Sequence, residues 1–248
     1  MSNSLKGRVA VVTGAARGIG QAIVRGLAAQ GASIVGIDLL NCDDTAAIAA
    51  QHGADFISQI ADLTDENAVG AAMDKVVEHF GRCDILINCA GILPRMEWDE
   101  LDLASWNRLI TVNATSQFIT CKAAIPIMRK NSYGRIINFT AAIVQTPATG
   151  FISYMASKMA VIGLTRGLAT EMGAHGITVN AVSPSFVTTP GQVEVGNDSI
   201  QPFVTQQQAI KRDQVPDDIV GLITFLASDA ASFITAQTIH ADGGLTYH

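Results

Sequence analysis

Tyr154 and Lys158 are the two residues whose types and spacing most directly suggest chemistry in this sequence. They stand four residues apart in YMASK, in a segment that is predicted to begin a helix. Side chains at this spacing share one helix face, one turn apart. A phenol ionises at about pH 10, and a nearby ammonium group favours its ionised form. The pair suggests a proton-transfer site, and the alternative is a helix that merely contains a tyrosine.

A glycine-rich stretch, TGAARGIG at 13–20, follows a β-branched run and precedes a helical pattern. The free N–H groups of a helix N-terminus at such a turn can bind a pyrophosphate. Gly14 would permit the tight turn, Gly18 the close approach of the ligand, and Gly20 the packing of helix on strand. Taken alone, the stretch is explained equally well by an ordinary strand–turn–helix connection.

Asp38 favours a dinucleotide site over a bare turn, because it ends the second predicted strand. A carboxylate there can accept hydrogen bonds from the ribose hydroxyls of adenosine and would repel a 2′-phosphate. Arg17 is the only basic residue nearby, and no Lys or Arg directly follows Asp38. These features favour NAD over NADP, and the alternative for Asp38 is a solvated strand end.

The ends of the next two predicted strands carry further candidates. Asp62 could accept a hydrogen bond from the adenine amino group while the Leu63 backbone covers the ring, although a helix-capping role for this segment is also open. Asn88 closes the fourth strand in NCAG, where ligands of open α/β sheets bind, and Gly91 leaves room for the cofactor.

Composition excludes several classes of function. The 248 residues carry a net charge of −6, so no basic surface for nucleic acid is expected. No run reaches the roughly 18 apolar residues of a membrane span. Four cysteines without a CxxC pair indicate a reduced, cytoplasmic protein, and five scattered histidines give no metal site.

Short β-branched runs alternate with longer helical patterns along the whole chain. We therefore predict one α/β domain, residues 1–248, folded as a doubly wound (Rossmann) three-layer sandwich with a seven-stranded parallel sheet. The predicted strands are 8–13, 33–38, 54–60, 84–88, 134–140, 177–183 and 238–242, and the predicted helices are 18–30, 43–52, 65–80, 103–130, 153–173 and 216–228.

Together these motifs resemble the short-chain dehydrogenase/reductase family. The resemblance covers essentially the whole chain through TGAARGIG, Asp38, the pair at 62–63, NCAG, Asn113, YMASK and the ADGG near the C-terminus. Segments such as GRIINFT most resemble bacterial NAD-dependent secondary-alcohol dehydrogenases of the (S)-1-phenylethanol dehydrogenase kind, with pyridoxal 4-dehydrogenase-like members nearby.

The resemblance implies a role for each residue of the site. Tyr154 would be the acid/base that takes the proton of a secondary alcohol as hydride leaves for the nicotinamide. Lys158 would favour the phenolate and hold the nicotinamide ribose. Asn113 would interrupt its helix and hold a water molecule that links Lys158 to solvent. The alternative for Asn113 is a polar residue on a helix.

Ala141 departs from the family pattern, which has a serine three residues after the Asn of the fifth strand. A methyl group offers no donor to the substrate oxygen, and the loss of one such donor costs about 10²–10³ in rate. Thr140 and Ser153 are expected to point away, whereas Gln145 could reach the pocket from the following loop. Natural loss and an introduced Ser→Ala replacement explain Ala141 equally well.

The remaining site residues follow from the same resemblance. The segment after the sixth strand should pass over the nicotinamide, and residues of about 187–212 should form a substrate lid. The expected cofactor contacts are Gly14, Arg17, Gly18, Ile19, Gly20, Asp38, Leu39, Asp62, Leu63, Asn88, Ala90, Gly91, Tyr154, Lys158, Pro184, Val187 and Thr189. The expected substrate contacts are Ile143, Val144, Gln145, Phe151 and Phe186, with Met96 as a further candidate.

These apolar side chains suggest a small-molecule alcohol or ketone that is moderately apolar or aromatic and uncharged, although core packing explains each one singly. Family members pair their long helices and C-terminal strand into tetramers, so a homotetramer is expected. The alternatives are a sugar/polyol or pyridoxal-type dehydrogenase, a 3-oxoacyl reductase, and a dinucleotide-binding protein that has lost its chemistry.

Overall fold

The computed structural model of the protein describes residues 4–194 and 197–247, and its centre is one sheet of seven parallel strands. The strands are β1 (Val9–Thr13), β2 (Ser33–Asp38), β3 (Phe56–Ile60), β4 (Ile85–Asn88), β5 (Gly134–Phe139), β6 (Ile177–Pro184) and β7 (Thr238–Ala241). They lie in the order β3-β2-β1-β4-β5-β6-β7.

The α-helices cover both faces of this sheet. They are α1 (Gly18–Ala29), α2 (Asp43–Ala50), α3 (Glu66–Phe80), α4 (Leu103–Ile110), α5 (Ser116–Lys130), α6 (Ile152–Met172), α7 (Pro190–Glu194), α8 (Gln201–Gln207) and α9 (Asp217–Ala227). Helices α1, α2 and α9 contribute to the apolar core on one face, and α3, α5 and α6 to the core on the other.

The alternating side chains of β1 show why both faces of the sheet must be covered by helices. Ala10 and Val12 lie in the first core, whereas Val9 and Val11 lie in the second, and all four are buried. Successive side chains of a strand point to opposite faces, so a strand made only of apolar residues must be buried twice. The predicted doubly wound parallel fold is confirmed, and the ends of the predicted strands lie within two residues of the observed ones.

The connections reverse direction between β1 and β4, which are neighbours in the sheet. The connection after β1 leads to one side of the sheet, and the connection after β4 leads to the other. A crevice therefore opens between the carboxyl ends of β1 and β4. The glycine-rich turn after β1 and the NCAG segment after β4 meet there.

The predicted helix over 103–130 is interrupted in the structure. Residues Thr111–Thr115 form a π-helical turn between α4 and α5. A π turn inserts one extra residue into the helix, and such turns are frequent at functional sites. Apolar periodicity alone does not show the interruption, because the segments on both sides of it are helical.

A charged cluster closes the opposite, amino-terminal end of the sheet. The Tyr133 ring lies between the guanidinium groups of Arg8 and Arg135, which are 3.5 Å and 4.2 Å from its centroid. Asp84 is fully buried beside them and accepts hydrogen bonds from Val9 N at 2.9 Å and from two nitrogens of Arg82 at 2.7 Å. We call the side chains at positions 8, 82, 84, 133 and 135 the amino-end clamp.

Two general properties complete the description. Within the described ranges, no helix combines the length and apolar character needed to cross a membrane. All four cysteines are free thiols, and no group of three potential metal ligands lies together in residues 4–194 and 197–247.

Candidate active site

The turn between β1 and α1 is built as a backbone cradle. Gly14 has a φ of 69°, and a Cβ there would come 3.0 Å from the Ala90 backbone. At Gly20 a Cβ would overlap the carbonyl oxygen of Gly14. Thr13 Oγ1 accepts hydrogen bonds from Cys89 N and Ala90 N at 3.1 Å and 3.2 Å. Thr13 therefore ties the turn to the end of β4, a role that the sequence analysis missed.

Asp38 lies beside this turn. Its carboxylate accepts hydrogen bonds from Ala16 N at 3.0 Å and from Leu40 N at 3.1 Å. Leu39 is two-thirds exposed and Ile19 packs against the first core. The structure thus brings the predicted ribose-binding carboxylate to the edge of the predicted pyrophosphate cradle.

Asp62 and Leu63 follow β3 as predicted. Asp62 Oδ1 accepts hydrogen bonds from Thr64 N at 2.9 Å and Thr64 Oγ1 at 2.7 Å, and these bonds lower the pKa of its carboxyl group. The cap of α3 is Asp65, whose carboxylate accepts from Asn67 N and Ala68 N. Asp62 is exposed and does not cap the helix, and Leu63 is buried.

Asn88 lies at the carboxyl end of β4 as predicted, with its side chain turned into the protein. It is 1% exposed, donates to Asn138 Oδ1 at 2.9 Å and accepts from Thr120 Oγ1 at 2.7 Å. Asn138 in turn donates to Thr165 Oγ1 at 3.0 Å. The amide of Asn88 therefore joins β4 to β5 and α5, because a buried amide must find its hydrogen-bond partners inside the protein. Any cofactor contact at this position would be made by the backbone.

Tyr154 and Lys158 lie one turn apart on α6, as predicted. Lys158 is 4% exposed, and its Nζ is 5.6 Å from the centre of the Tyr154 ring. Lys158 Nζ donates to Phe139 O at 2.9 Å, at the end of β5. A Cβ at Gly91 would come 3.0 Å from Asn113 Oδ1 and 3.5 Å from Lys158 Nζ. Gly91 thus borders the two polar groups without covering them.

Asn113 lies in the π turn and is fully buried. Its side chain exchanges two hydrogen bonds with the Ile92 backbone, at 2.8 Å and 3.0 Å, and donates to Ser157 Oγ at 3.2 Å. Gln117 Nε2 donates to Asn113 O at 3.1 Å and to Phe139 O at 3.3 Å. Phe139 O is therefore shared by Gln117 and Lys158, a connection that the sequence did not predict.

Burial is the largest influence on the proton affinities of Tyr154 and Lys158. It lowers the pKa of Lys158 to about 8 and raises the pKa of Tyr154 above its ordinary value. The expectation that Lys158 favours the Tyr154 phenolate stays a prediction. The ammonium group is directed at Phe139 O, and burial penalises the charged forms of both residues.

Ala141 lies on the wall of the same cavity as Tyr154. Thr140 Oγ1 donates to Lys158 O at 3.0 Å, so it points away as predicted. Gln145 is exposed, and its amide lies 3.5 Å from His240 Nε2. The idea that Gln145 reaches the pocket is wrong, because a short helical turn at Ala142–Gln145 carries its side chain outward.

The cavity that contains Tyr154 and Ala141 has a volume of about 310 Å³. Of the predicted substrate contacts, Ile143, Phe151 and Phe186 line it, whereas Val144, Gln145 and Met96 do not. Other apolar lining residues were not predicted: Leu93, Ile200, Phe203, Val204 and Leu245. Most of these lie in long connections, where periodicity carries no information about direction. Arg95 is the one charged group among the described lining residues, and its Nη2 is 2.9 Å from Glu97 Oε1.

The segment after β6 covers part of the crevice. Pro184 lines the cavity, Val187 is 6% exposed, and a Cβ at Gly18 would come 3.3 Å from Thr189 Cγ2. Helices α7 and α8 occupy much of the predicted lid of about 187–212, of which residues 195–196 lie outside the described part. The lid function stays a prediction.

Sequence comparison assigns the chain to a family. A family model described as enoyl-(acyl carrier protein) reductase matches residues 14–246, which is nearly the full length. The chain belongs to the short-chain dehydrogenase/reductase family, and it is an oxidoreductase of that family.

Three relatives show the range of the family around this chain. It is 38% identical over 248 residues to cis-4-hydroxycyclohexanecarboxylate dehydrogenase of Sinomonas cyclohexanicum, with 99% of each chain covered. It is 35% identical to 3-oxoacyl-(acyl carrier protein) reductase of Escherichia coli K12, with 98% of each covered. A crystal structure described as an NAD(P)-dependent gluconate 5-dehydrogenase of Beutenbergia cavernae, with NADP at low occupancy, has a TM-score of 0.91, 34% identity and 99% coverage of both chains. The substrates named differ, so the substrate must be argued from the cavity.

Proposed function

We propose that this protein transfers hydride between NAD(H) and a secondary alcohol or ketone of moderately apolar or aromatic character, with Tyr154 as the acid/base. The observation that carries the proposal is the position of Tyr154. Its ring lies on the wall of an apolar cavity of about 310 Å³, one turn from a buried lysine and beside the crevice at the switch point of the sheet. Ligands of open α/β sheets bind at such a crevice.

The dinucleotide fits the crevice because the backbone is free of side chains where the phosphates would lie. Gly14, Gly18 and Gly20 add no side chain to the turn, and the turn packs so closely that added Cβ atoms would contact Ala90, Thr189 and Gly14. Asp38 offers its carboxylate to the ribose hydroxyls, which favours NAD over NADP. When bound, NAD supplies the hydride acceptor.

The residues of α6 and the π turn would handle the proton. Tyr154 exchanges a proton with the substrate oxygen, and Lys158 holds the ribose and favours the phenolate once the oxidised nicotinamide is beside it. Asn113 positions the segment at Ile92 against α6 by three hydrogen bonds. Burial raises the pKa of Tyr154, so the positive charges of Lys158 and of the oxidised nicotinamide would have to lower it for the phenol to act as a base.

The cavity lining supports an uncharged, compact substrate. Apart from Arg95, which is paired with Glu97, its described lining is apolar or neutral. Arg212 is bound to Asp218 through two contacts of 2.6 Å and 2.7 Å, so it adds no free cation for an acyl carrier. These charges make a 3-oxoacyl substrate a weaker candidate. The lining includes the polar side chains of Thr146, Thr149, Ser185 and Gln207, but most of it is apolar, which favours an apolar alcohol over a sugar or polyol.

Ala141 limits the activity that we expect from this chain. The developing alkoxide lacks the hydroxyl donor that the family pattern places at this position, so turnover should be low while dinucleotide binding is kept. Restoring the donor tests the proposal. We expect Ala141→Ser to raise kcat by about 10²–10³ with NAD and a panel of secondary alcohols.

Two variants make this test specific. Ala142→Ser adds a hydroxyl to the neighbouring lining residue and should give no gain. Tyr154→Phe in the Ala141→Ser background should abolish the gain, because the acid/base is lost. If no secondary alcohol is oxidised faster after Ala141→Ser, the proposal is overturned.

A non-catalytic, dinucleotide-binding protein is the second candidate, and Ala141 is the observation that favours it. NADH fluorescence separates the two candidates before any substrate is known. Binding of NADH without turnover, both in the wild-type protein and in the Ala141→Ser variant, would support a binding protein, whereas turnover in the variant supports the enzyme.

The assembly we propose is a homotetramer located in the cytoplasm. Large apolar side chains are exposed on the helices that flank the site, namely Leu103, Phe118, Ile152 and Met159. Exposed apolar side chains on adjacent helices mark surfaces that bury themselves against a partner. The free thiols of all four cysteines support a reducing compartment.

A further inference from the structure

An ion pair joins the glycine-rich turn to the segment that follows β6. Arg17 directly precedes α1, and its Nη1 lies 2.6 Å from Oε1 of Glu194, the last residue of α7. Gly191 lies next to the guanidinium group, since a Cβ there would come 3.5 Å from Arg17 Nη2. The guanidinium group is thus held toward α7 by a charged partner and a close backbone.

The surroundings of Arg17 are otherwise acidic. It is the only Lys or Arg in residues 9–24 and 33–50, which include the turn, β2 and α2. Asp38, Asp43 and Asp44 lie in the second of these stretches. Burial, and after it the negative charges of Asp38 and Asp43, raise the pKa of the Cys42 thiol to about 11. The end of β2 therefore carries a negative field that one cation could offset.

This field bears on the choice between the two nicotinamide dinucleotides. The Asp38 carboxylate accepts a hydrogen bond from Ala16 N, so a ribose bound to Asp38 would lie next to Arg17. NADP differs from NAD by a phosphate on that ribose, which needs a cation beside it. Arg17 is the one cation that these two stretches offer, and Glu194 already neutralises it.

We infer that Glu194 is a second selectivity residue, which excludes NADP by keeping the Arg17 guanidinium away from the 2′-phosphate. This inference rests on the proposed use of NAD and deepens it. Asp38 repels the phosphate directly, and Glu194 removes the group that would compensate. Asp38 on β2 and Glu194 on α7 thus both disfavour a phosphate on the same ribose.

The test measures binding and needs no turnover. NADH and NADPH are titrated by fluorescence into the wild-type protein and into Glu194→Gln. We expect NADPH to bind about 3- to 10-fold more tightly to the variant, while the Kd of NADH changes by less than about twofold. The gain should shrink at high salt, because the contact is partly exposed.

Two further variants separate this effect from simple charge changes. Glu97→Gln removes the partner of another exposed arginine, Arg95, and changes the net charge equally. Arg95 lines the substrate cavity, so this variant should leave the ratio of the NADPH and NADH dissociation constants unchanged. The double variant Arg17→Gln/Glu194→Gln should not bind NADPH more tightly than the wild-type protein does, because it lacks the Arg17 guanidinium that Glu194→Gln releases. The same titrations in an Asp38→Asn background measure the effect with the direct repulsion removed.

The titrations can overturn the inference in two ways. An equal change in the Kd of both dinucleotides would show that Glu194 only positions α7, and would overturn the inference. So would an unchanged ratio in both backgrounds. A wild-type protein that binds neither dinucleotide overturns the proposed function itself, which is distinct from loss of selectivity alone.

Discussion

At the scale of single residues, the buried charge of Lys158 lowers the stability of the fold. Its side chain is 4% exposed, and Phe139 O at 2.9 Å is the one hydrogen-bond acceptor that the described residues give to its Nζ. Burial lowers its pKa from the ordinary 10.5 to about 8. The protein therefore keeps an ammonium group at neutral pH in a place where burial penalises its charge.

Removing this charge should stabilise the protein. Between pH 8 and 10.5 the unfolded chain binds more protons at this residue than the folded chain, so stability rises with pH across this window. Below pH 8 the penalty is present in full. We expect Lys158→Met to increase the free energy of unfolding at pH 7 by about 1–3 kcal/mol, measured by urea denaturation.

The advantage of Lys158→Met should shrink as the pH rises from about 8 and vanish above about 10.5, because the wild-type amine is then neutral in both states. Lys122→Met, at a side chain that is 61% exposed, is the control and should change stability by less than about 0.5 kcal/mol at any pH. Destabilisation by Lys158→Met at pH 7 would contradict the assignment of a buried, penalised charge.

Residue types and spacing predicted which side chains meet at the site, but not where each one points. Asp38 and the Tyr154–Lys158 pair lie as predicted because strand ends and helical turns fix their directions. Asn88 turns inward to Asn138 and Thr120, since its direction depends on partners far away in the sequence. Gln145 turns outward because the chain makes a helical turn directly after β5.

At the scale of elements, the turn between β1 and α1 depends on the close approach of two backbone segments. A Cβ at Gly20 would overlap Gly14 O, so the turn must open to accept an alanine. We expect Gly20→Ala to lower the free energy of unfolding by about 1–3 kcal/mol and to weaken NADH binding, measured by denaturation and fluorescence titration.

Gly70→Ala in α3 is the matched control. A Cβ at Gly70 meets nothing within 4 Å, so alanine should stabilise the helix by about 0.5–1 kcal/mol and leave NADH binding unchanged. If the two substitutions had equal effects, the close packing of α1 on β1 would not be what requires glycine at position 20.

The elements themselves were largely predictable, because runs of β-branched residues and helical periodicity are strong local signals. The two short helices α7 and α8 were not, and the interruption at Thr111–Thr115 was expected only from the family resemblance at Asn113 and not from periodicity. The π turn depends on partners such as Ile92 and Ser157, which only the folded chain brings to Asn113. Helices as short as α7 carry too few residues for a periodic pattern.

At the scale of the whole molecule, the exposed helices should assemble the protein. We expect size-exclusion chromatography with light scattering to give a mass four times that of one chain. Phe118 and Met159, which are 47% and 52% exposed, lie on α5 and α6. Phe118→Glu/Met159→Glu should yield smaller species, because burying charge without a partner is unfavourable.

Ile60→Glu is the control for this experiment, since Ile60 is also an exposed apolar residue but lies on the edge strand β3. It should leave the mass unchanged. A wild-type protein that is monomeric at all concentrations would contradict the proposed tetramer, and would leave the catalytic proposal to stand on the cavity alone.

The amino-end clamp has a consequence for how this chain can diversify. The Arg8–Tyr133–Arg135 stack and the buried Asp84 anchor three strands at the end of the sheet farthest from the glycine-rich turn and the cavity. Loops at the carboxyl ends can therefore be exchanged, lengthened or recruited to new substrates without loosening the scaffold. Libraries for directed evolution should leave those clamp positions fixed and randomise the opposite rim.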